Sequence, residues 1–169
     1  PRPTFSGFPQ NWGVTSGRIN AVAISPADTN LVLVGAATGG VWRSEDGGNS
    51  FEPVSDNHVD LAVGAIAFAP SDPNIVYAGM GDIDNSYLGT GVLKSTDAVK
   101  WKRTLVGLPS DCVVSPADGN TIYTAMLRVD QVGSPPPGVY RSTNGGETWS
   151  LAYASPFPLG IADLHLAVT

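Results

Sequence analysis

The chain has 169 residues, 42% of them hydrophobic, with nine Lys and Arg against fifteen Asp and Glu for a net charge of −6. The few cations are scattered, which argues against a nucleic acid or an anionic membrane surface as partner, and no apolar run approaches membrane-spanning length. A single cysteine, Cys112, excludes a disulfide within the chain, and two histidines leave too few soft ligands for zinc.

In chain order, a lead-in over 1–17 gives way to an apolar run, Ile19–Ile24. The turn Ser25-Pro26-Ala27-Asp28-Thr29-Asn30 follows, then Leu31–Val34, a minimal loop Gly35–Gly40, the phrase Gly40-Val41-Trp42-Arg43-Ser44 and a run Phe51–Val54. The second unit repeats the plan with Val63–Phe68, the turn Ala69–Asn74, Ile75–Ala78, a long loop from Gly79 to Gly91, the phrase Gly91-Val92-Leu93-Lys94-Ser95 and Trp101–Leu105. The third reads Cys112–Ser115, the turn Ser115–Asn120, Thr121–Ala125, a loop from Met126 through three prolines, Gly138-Val139-Tyr140-Arg141-Ser142 and Trp149–Ala152. Ile161–Val168 then resembles a first run once more. In each turn Pro presets φ while Asp and Asn bond their own backbone, which is hairpin chemistry.

The serines closing the Gly-Val phrase lie 51 and 47 residues apart, and the turn prolines 44 and 46 apart. That period is right for one four-stranded propeller blade. No stretch carries an apolar stripe at helical spacing, and 20 glycines with 14 prolines disfavour helix. A β-sandwich of short strands predicts no such double repeat. The expected fold is all-β: about three four-stranded antiparallel blades plus the first strand of a fourth, an incomplete propeller. The divisions are 1–17 lead-in, 18–60, 61–109 and 110–157 for the blades, and 158–169 for the extra strand. Three blades and a starter strand do not close a ring, so the expected partners include the rest of a longer polypeptide or other copies of the chain.

Loops that lengthen on one face of a rigid scaffold are where binding tends to sit. The loop Gly81–Gly91 holds Asp82, Asp84, Asn85 and Tyr87, oxygen donors beside an aromatic platform suited to sugar hydroxyls. No cofactor is implied; Ca2+ is the one candidate for those oxygens, and the Asp-x-Asp-Asn spacing lacks the remaining ligands of a calcium loop. In the third unit Arg128 and Asp130 flank Val129 and can point to one side of an extended segment. His58, in the connector Asp56-Asn57-His58, is the better placed histidine for proton transfer. The expected partner is a protein or a glycan.

The segments Ser44-Glu45-Asp46-Gly47-Gly48-Asn49-Ser50-Phe51 and Ser142-Thr143-Asn144-Gly145-Gly146-Glu147-Thr148-Trp149 resemble the Asp-box, or bacterial neuraminidase repeat. That motif occurs in sialidases, xyloglucanases, sortilin-type domains and photosystem II assembly-factor propellers. The middle copy, Ser95-Thr96-Asp97-Ala98-Val99-Lys100-Trp101, is one residue short and lacks the glycine. The resemblance implies a structural hairpin, built on Ser44, Asp46, Gly48 and Phe51, on Ser95, Asp97 and Trp101, and on Ser142, Asn144, Gly146 and Trp149, on the face opposite any ligand.

Glycoside hydrolases with this box need two carboxylates roughly 5–9 Å apart across the scissile bond. The sialidase Arg-Ile-Pro signature is absent, Arg18-Ile19-Asn20 standing nearest to it. In xyloglucanases a catalytic Asp precedes a Gly-Gly-aliphatic-aromatic-Arg run; here the run is Gly39-Gly40-Val41-Trp42-Arg43, and Ala37 holds the Asp position. Ser16-Gly17-Arg18-Ile19 and Gly35-Ala36-Ala37-Thr38-Gly39-Gly40 resemble the phrases of bacterial sortilin-like propellers. The resemblance implies a non-catalytic, extracytoplasmic module that binds or scaffolds protein or carbohydrate. The alternative is a fragment of a sialidase- or xyloglucanase-like hydrolase whose catalytic residues lie outside this chain.

Overall fold

A computed structural model describes residues 17–58, 61–82, 87–127, 135–155 and 165–167. Within them the chain forms twelve strands and no helix: β1 Ile19–Ile24, β2 Val32–Ala36, β3 Gly40–Ser44, β4 Glu52–Pro53, β5 Val63–Ala69, β6 Asp72–Asp82, β7 Tyr87–Ser95, β8 Trp101–Leu105, β9 Leu108–Val114, β10 Ile122–Leu127, β11 Gly138–Ser142 and β12 Ser150–Ala154. They pair in sequence order into three four-stranded antiparallel sheets, β1–β4, β5–β8 and β9–β12.

Turn chemistry fixes the register. Asp28 Oδ1 accepts the Asn30 N–H at 2.9 Å and the Asp28 carbonyl accepts the Leu31 N–H at 3.0 Å. Asp118 does the same for Asn120 and Thr121 at 3.1 and 2.9 Å. In the hairpin after β3, Gly47 and Gly48 take positive φ, and Ser44 Oγ accepts the Gly48 N–H at 2.8 Å. Asp46 Oδ1 accepts from Ser44 Oγ at 2.7 Å and from the Ser50 N–H at 2.9 Å. The hairpin after β11 repeats this with Asn144 Oδ1, which accepts from Ser142 Oγ and the Thr148 N–H, each at 2.9 Å. The shorter hairpin after β7 replaces the glycine with Ala98 at φ 56°, and Asp97 Oδ1 accepts the Val99 and Lys100 N–H groups at 2.9 and 2.7 Å.

Several elements differ from the sequence reading. Residues 79–82 and 87–91, expected in a loop, continue β6 and β7 with Met80 paired to Gly91 and Asp82 to Tyr87. Glycine and aspartate in that stretch lower strand propensity, but the ladder already running between the two strands carries the pairing outward. β9 begins at Leu108 rather than Cys112, and β4 is two residues long rather than four. Of the expected strand Ile161–Val168, residues 165–167 are described and carry no strand; the others lie outside the described residues.

The three sheets stack face to face. Leu33 and Val41 of the first meet Val63, Phe68, Val76 and Leu93 of the second in one buried cluster. Tyr77 and Val92 of the second meet Cys112, Ile122, Met126 and Tyr140 of the third in another. The fit is close: a Cβ on Gly35 would lie 2.5 Å from Val63 Cγ1, so the second strand of the first sheet needs glycine where the second sheet presses on it.

The pairing makes positions equivalent between sheets. Val22, Val34 and Trp42 form one rung across the first sheet, Ile66, Ala78 and Leu93 across the second, and Cys112, Thr124 and Tyr140 across the third. In the second and third sheets this rung packs on the sheet before it. In the first it is bare: Val22 is 61% exposed and Trp42 36%.

Candidate functional site

Two ends of the stack differ in character. At one end lie the Pro-Asp turns and the hairpins after β3, β7 and β11. They lock to one another through Gly47 N–H to the Asn30 carbonyl at 3.0 Å and Gly145 N–H to the Asn120 carbonyl at 2.9 Å. Hydrogen bonds from the Ser50 hydroxyl, then the Ser50 N–H, then Ser44 hold the Asp46 carboxyl far below the usual carboxylate range. The Lys100 and Val99 N–H groups lower Asp97, and the Asn120 N–H and Thr121 hydroxyl lower Asp118. These carboxylates are acceptors for their own turns. Lys94 crosses between sheets: its Nζ donates to the Gly145 carbonyl at 2.7 Å, lies 4.0 Å from Glu147 and sits 5.9 Å from the Tyr77 ring centre.

The other end carries the β6–β7 hairpin. Asp82 and Tyr87 form its outermost described rung, while Asp84, Asn85, Arg128 and Asp130 lie outside the described residues. His58 sits in a turn closed by its own N–H to the Ser55 carbonyl at 3.0 Å. Nearby, Ser55 Oγ accepts the buried Val41 N–H at 2.7 Å, and Gly40 N–H donates to the Leu61 carbonyl at 2.7 Å. Ala37 is 5% exposed, and its N–H is bound by the Arg18 carbonyl at 2.9 Å. The structure thus places Asp82 and Tyr87 opposite each other in backbone register, with His58 in a separate connector.

Concavities open among the described residues on the first blade and near the axis. A groove of about 530 Å3 runs along the bare face of the first sheet, lined by Arg18, Val22, Val34, Thr38, Trp42 and Phe51. A second, of about 380 Å3, opens where β1, β5 and β9 converge, lined by Ile24, Pro26, Phe68, Pro70 and Val113. Neither the groove nor the Lys94–Tyr77 latch was singled out from the sequence. The signal for the first was in the repeated phrase, where Trp42 stands at the place of Leu93 and Tyr140. Cys112 is buried, and burial together with the nearby Asp111 charge pushes its thiol up to about 12, so it is no nucleophile at neutral pH. Among the described residues no three His, Cys, Asp or Glu side chains gather where they could hold a metal, and no helix is long and apolar enough to cross a membrane.

Three inner strands, β1, β5 and β9, side by side around a common axis with sheets radiating from them, match known proteins. The fold is a β-propeller. The blades superpose on an ancestral GH74 enzyme with a TM-score of 0.64 and 26% identity, over 83% of this chain and 19% of that one. They also superpose on YCF48 from Cyanidioschyzon merolae, with a TM-score of 0.55 and 21% identity over 79% and 36% of the two chains, a likeness of fold alone. In sequence the chain is similar to xyloglucanase Xgh74A of Acetivibrio thermocellus, 25% identical over 177 residues, or 90% of this chain and 20% of the relative. It is also similar to virginiamycin B lyase of Nocardia farcinica, 28% identical over 154 residues, 88% of this chain and 50% of the relative. The propeller segment therefore spans about a fifth of the xyloglucanase it matches. No family model matches the chain.

Proposed function

We propose that these blades are a non-hydrolytic segment of an extracytoplasmic, carbohydrate-binding propeller related to the xyloglucanases. Its hairpins are Asp-boxes serving the fold, and its ligand seats on the β6–β7 end. Ala37 carries the reading. It stands at the position where the resemblance calls for a catalytic carboxylate, it is buried, and a methyl group can neither donate nor accept a proton. Asp46, Asp97 and Asp118 are engaged by their own turns, and the polar and aromatic groups proposed for sugar are Asp82 and Tyr87 at the ends of β6 and β7 with Asp84, Asn85, Arg128 and Asp130.

Similarity to xyloglucanases over nine-tenths of the chain favours a second reading. In it the segment belongs to an active hydrolase whose acid and base stand in other blades, and this segment positions the polymer. Xyloglucan oligosaccharides test whether this chain binds glycan and whether it cleaves it. Calorimetry should register binding that Asp82→Ala and Tyr87→Ala weaken by at least about tenfold, roughly 1.4 kcal/mol, while a reducing-end assay shows no product. Release of reducing ends by the 169-residue chain would overturn the non-hydrolytic reading, and absence of binding would overturn the glycan reading.

A further inference from the structure

The hairpin after β11 contains Asn144-Gly145, the one Asn-Gly pair of the chain. In a flexible chain that pair is chemically unstable. The glycine amide nitrogen attacks the Asn side-chain carbonyl carbon and loses its proton, and the side-chain nitrogen departs as ammonia. Water then opens the cyclic imide at either carbonyl, giving aspartate or isoaspartate. Glycine favours the closure because no side chain crowds the attacking nitrogen and its backbone reaches conformations closed to other residues.

The fold restrains each partner in that reaction. Asn144 is exposed, so water reaches it, but its side chain is tethered. Its Oδ1 accepts from Ser142 Oγ and the Thr148 N–H, each at 2.9 Å, and its Nδ2 donates to Thr148 Oγ1 at 2.8 Å. Gly145 is buried, and its N–H, the group that must attack, donates to the Asn120 carbonyl at 2.9 Å. The Gly145 carbonyl accepts from Lys94 Nζ of the second blade at 2.7 Å. A Cβ on Gly145 would lie 3.3 Å from that Nζ and 3.5 Å from Asn120 Oδ1, so the turn has little room to rearrange while the blades stay docked.

We propose that Asn144 is a deamidation site gated by the contact between the second and third blades, with Lys94 as the restraining group. While the hairpin is docked the amide persists; when it parts from Lys94, Gly145 is freed and the chain records the opening irreversibly. The two products differ in consequence. Aspartate places at 144 the acceptor that Asp46 supplies in the first hairpin, where it takes bonds from Ser44 Oγ and the Ser50 N–H. Isoaspartate adds a methylene to the main chain, which carries the Gly146 N–H out of register with Ser142 Oγ, now 2.9 Å away.

Peptide mapping by mass spectrometry, after incubation in mildly alkaline buffer, reads the conversion residue by residue. Asn144 should convert in the urea-unfolded chain and at least about tenfold more slowly in the folded one, because only the open fraction reacts. Lys94→Met keeps the apolar stem and removes the donor. It should speed conversion at Asn144 by about tenfold, the worth of a hydrogen bond from a charged group. Asn49, bonded to the Asp46 carbonyl within the first hairpin, should keep its wild-type rate in that variant. An Asn144 that converts equally fast folded and unfolded, or stays intact in urea, overturns the proposal. So does a Lys94→Met chain as slow as wild type, or one in which Asn49 and Asn144 accelerate together, since Lys94 would then support the whole fold. Amide exchange at Gly145 gives a check in the wild type alone: its protection should match the slowing of conversion, and an unprotected Gly145 overturns the gate.

Discussion

Replacing Gly35 and Val63 by alanine, singly and together, reports directly on how the first two blades interlock. Val63 is fully buried, and its Cγ1 would lie 2.5 Å from a Cβ on Gly35. Val63→Ala removes two methyl groups, about 1.6 kcal/mol of transfer free energy, and the space left behind raises the loss to about 2–3 kcal/mol. Gly35→Ala sets a carbon about 1 Å inside normal contact, an overpacking cost of about 1–3 kcal/mol. Restricting the unfolded chain returns about 0.4–1 kcal/mol of that. In the double variant the offending Cγ1 is gone, and the new Cβ fills part of the void it leaves. The second substitution should then cost little, giving a favourable coupling of about 1–2 kcal/mol, well beyond the additivity error for independent sites. Urea unfolding followed by tryptophan fluorescence measures all four corners of the cycle. At this chain length each kcal/mol also moves the melting temperature by about 2–4 °C. Losses that add to within about 0.5 kcal/mol would mean that Gly35 and Val63 do not touch, and the stacking order of the blades would have to be redrawn.

Two further outcomes follow from the hairpins. The folded Asp46 and Asp97 titrate below their unfolded values, so their stabilisation is complete at neutral pH and is lost as pH falls from about 5 toward the folded pKa. Asn144 does not titrate. Asp46→Asn should therefore lower the melting temperature at pH 7 and lower it less as pH falls toward 2, whereas Asn144→Asp should raise it at pH 7 and lose part of the advantage in acid. Parallel melting curves from pH 7 to 2 would contradict the hydrogen-bonding scheme. At Ala98, left-handed backbone disfavours any Cβ by about 1–2 kcal/mol. Ala98→Gly should stay within about 1 kcal/mol of wild type, since strain relieved offsets a buried methyl lost. Ala98→Val should lose at least about 2 kcal/mol in urea, and equal losses for the two would refute the positive φ.

The fold was legible because its signal was written three times. Val22, Ile66 and Cys112 stand at one register position in three blades, and the turns that fix that position carry Pro, Asp and Asn each time. The ends of strands were less legible for a physical reason. Gly79, Gly81 and Asp82 have the composition of a loop, yet pairing with 87–92 recruits them into β6, a tertiary effect that propensity does not contain. Pro109 hides the start of β9 in the same way: it lacks a donor, but the strand accepts it beside Met126 at a register shift.

The site was harder to read, because a ligand seat is written where the copies differ, and a difference has no second copy to confirm it. At the 530 Å3 groove, geometry and repetition point in different directions. A large apolar cleft with an aromatic wall is the default seat for a small ligand. Yet Trp42 and Val22 in that wall have counterparts in Leu93, Tyr140, Ile66 and Cys112, all packed on a neighbouring blade. A position that repeats three times and packs on the neighbouring blade in the second and third belongs to the stacking of blades. The residues without counterparts lie elsewhere: the β6–β7 extension has no equivalent in the first blade, where β2 turns into β3 through 37–39. The glycan seat proposed at the Asp82–Tyr87 end predicts that Trp42→Ala in the groove leaves calorimetric capture of xyloglucan oligosaccharides unchanged, and a loss matching that of Tyr87→Ala would move the seat to the groove.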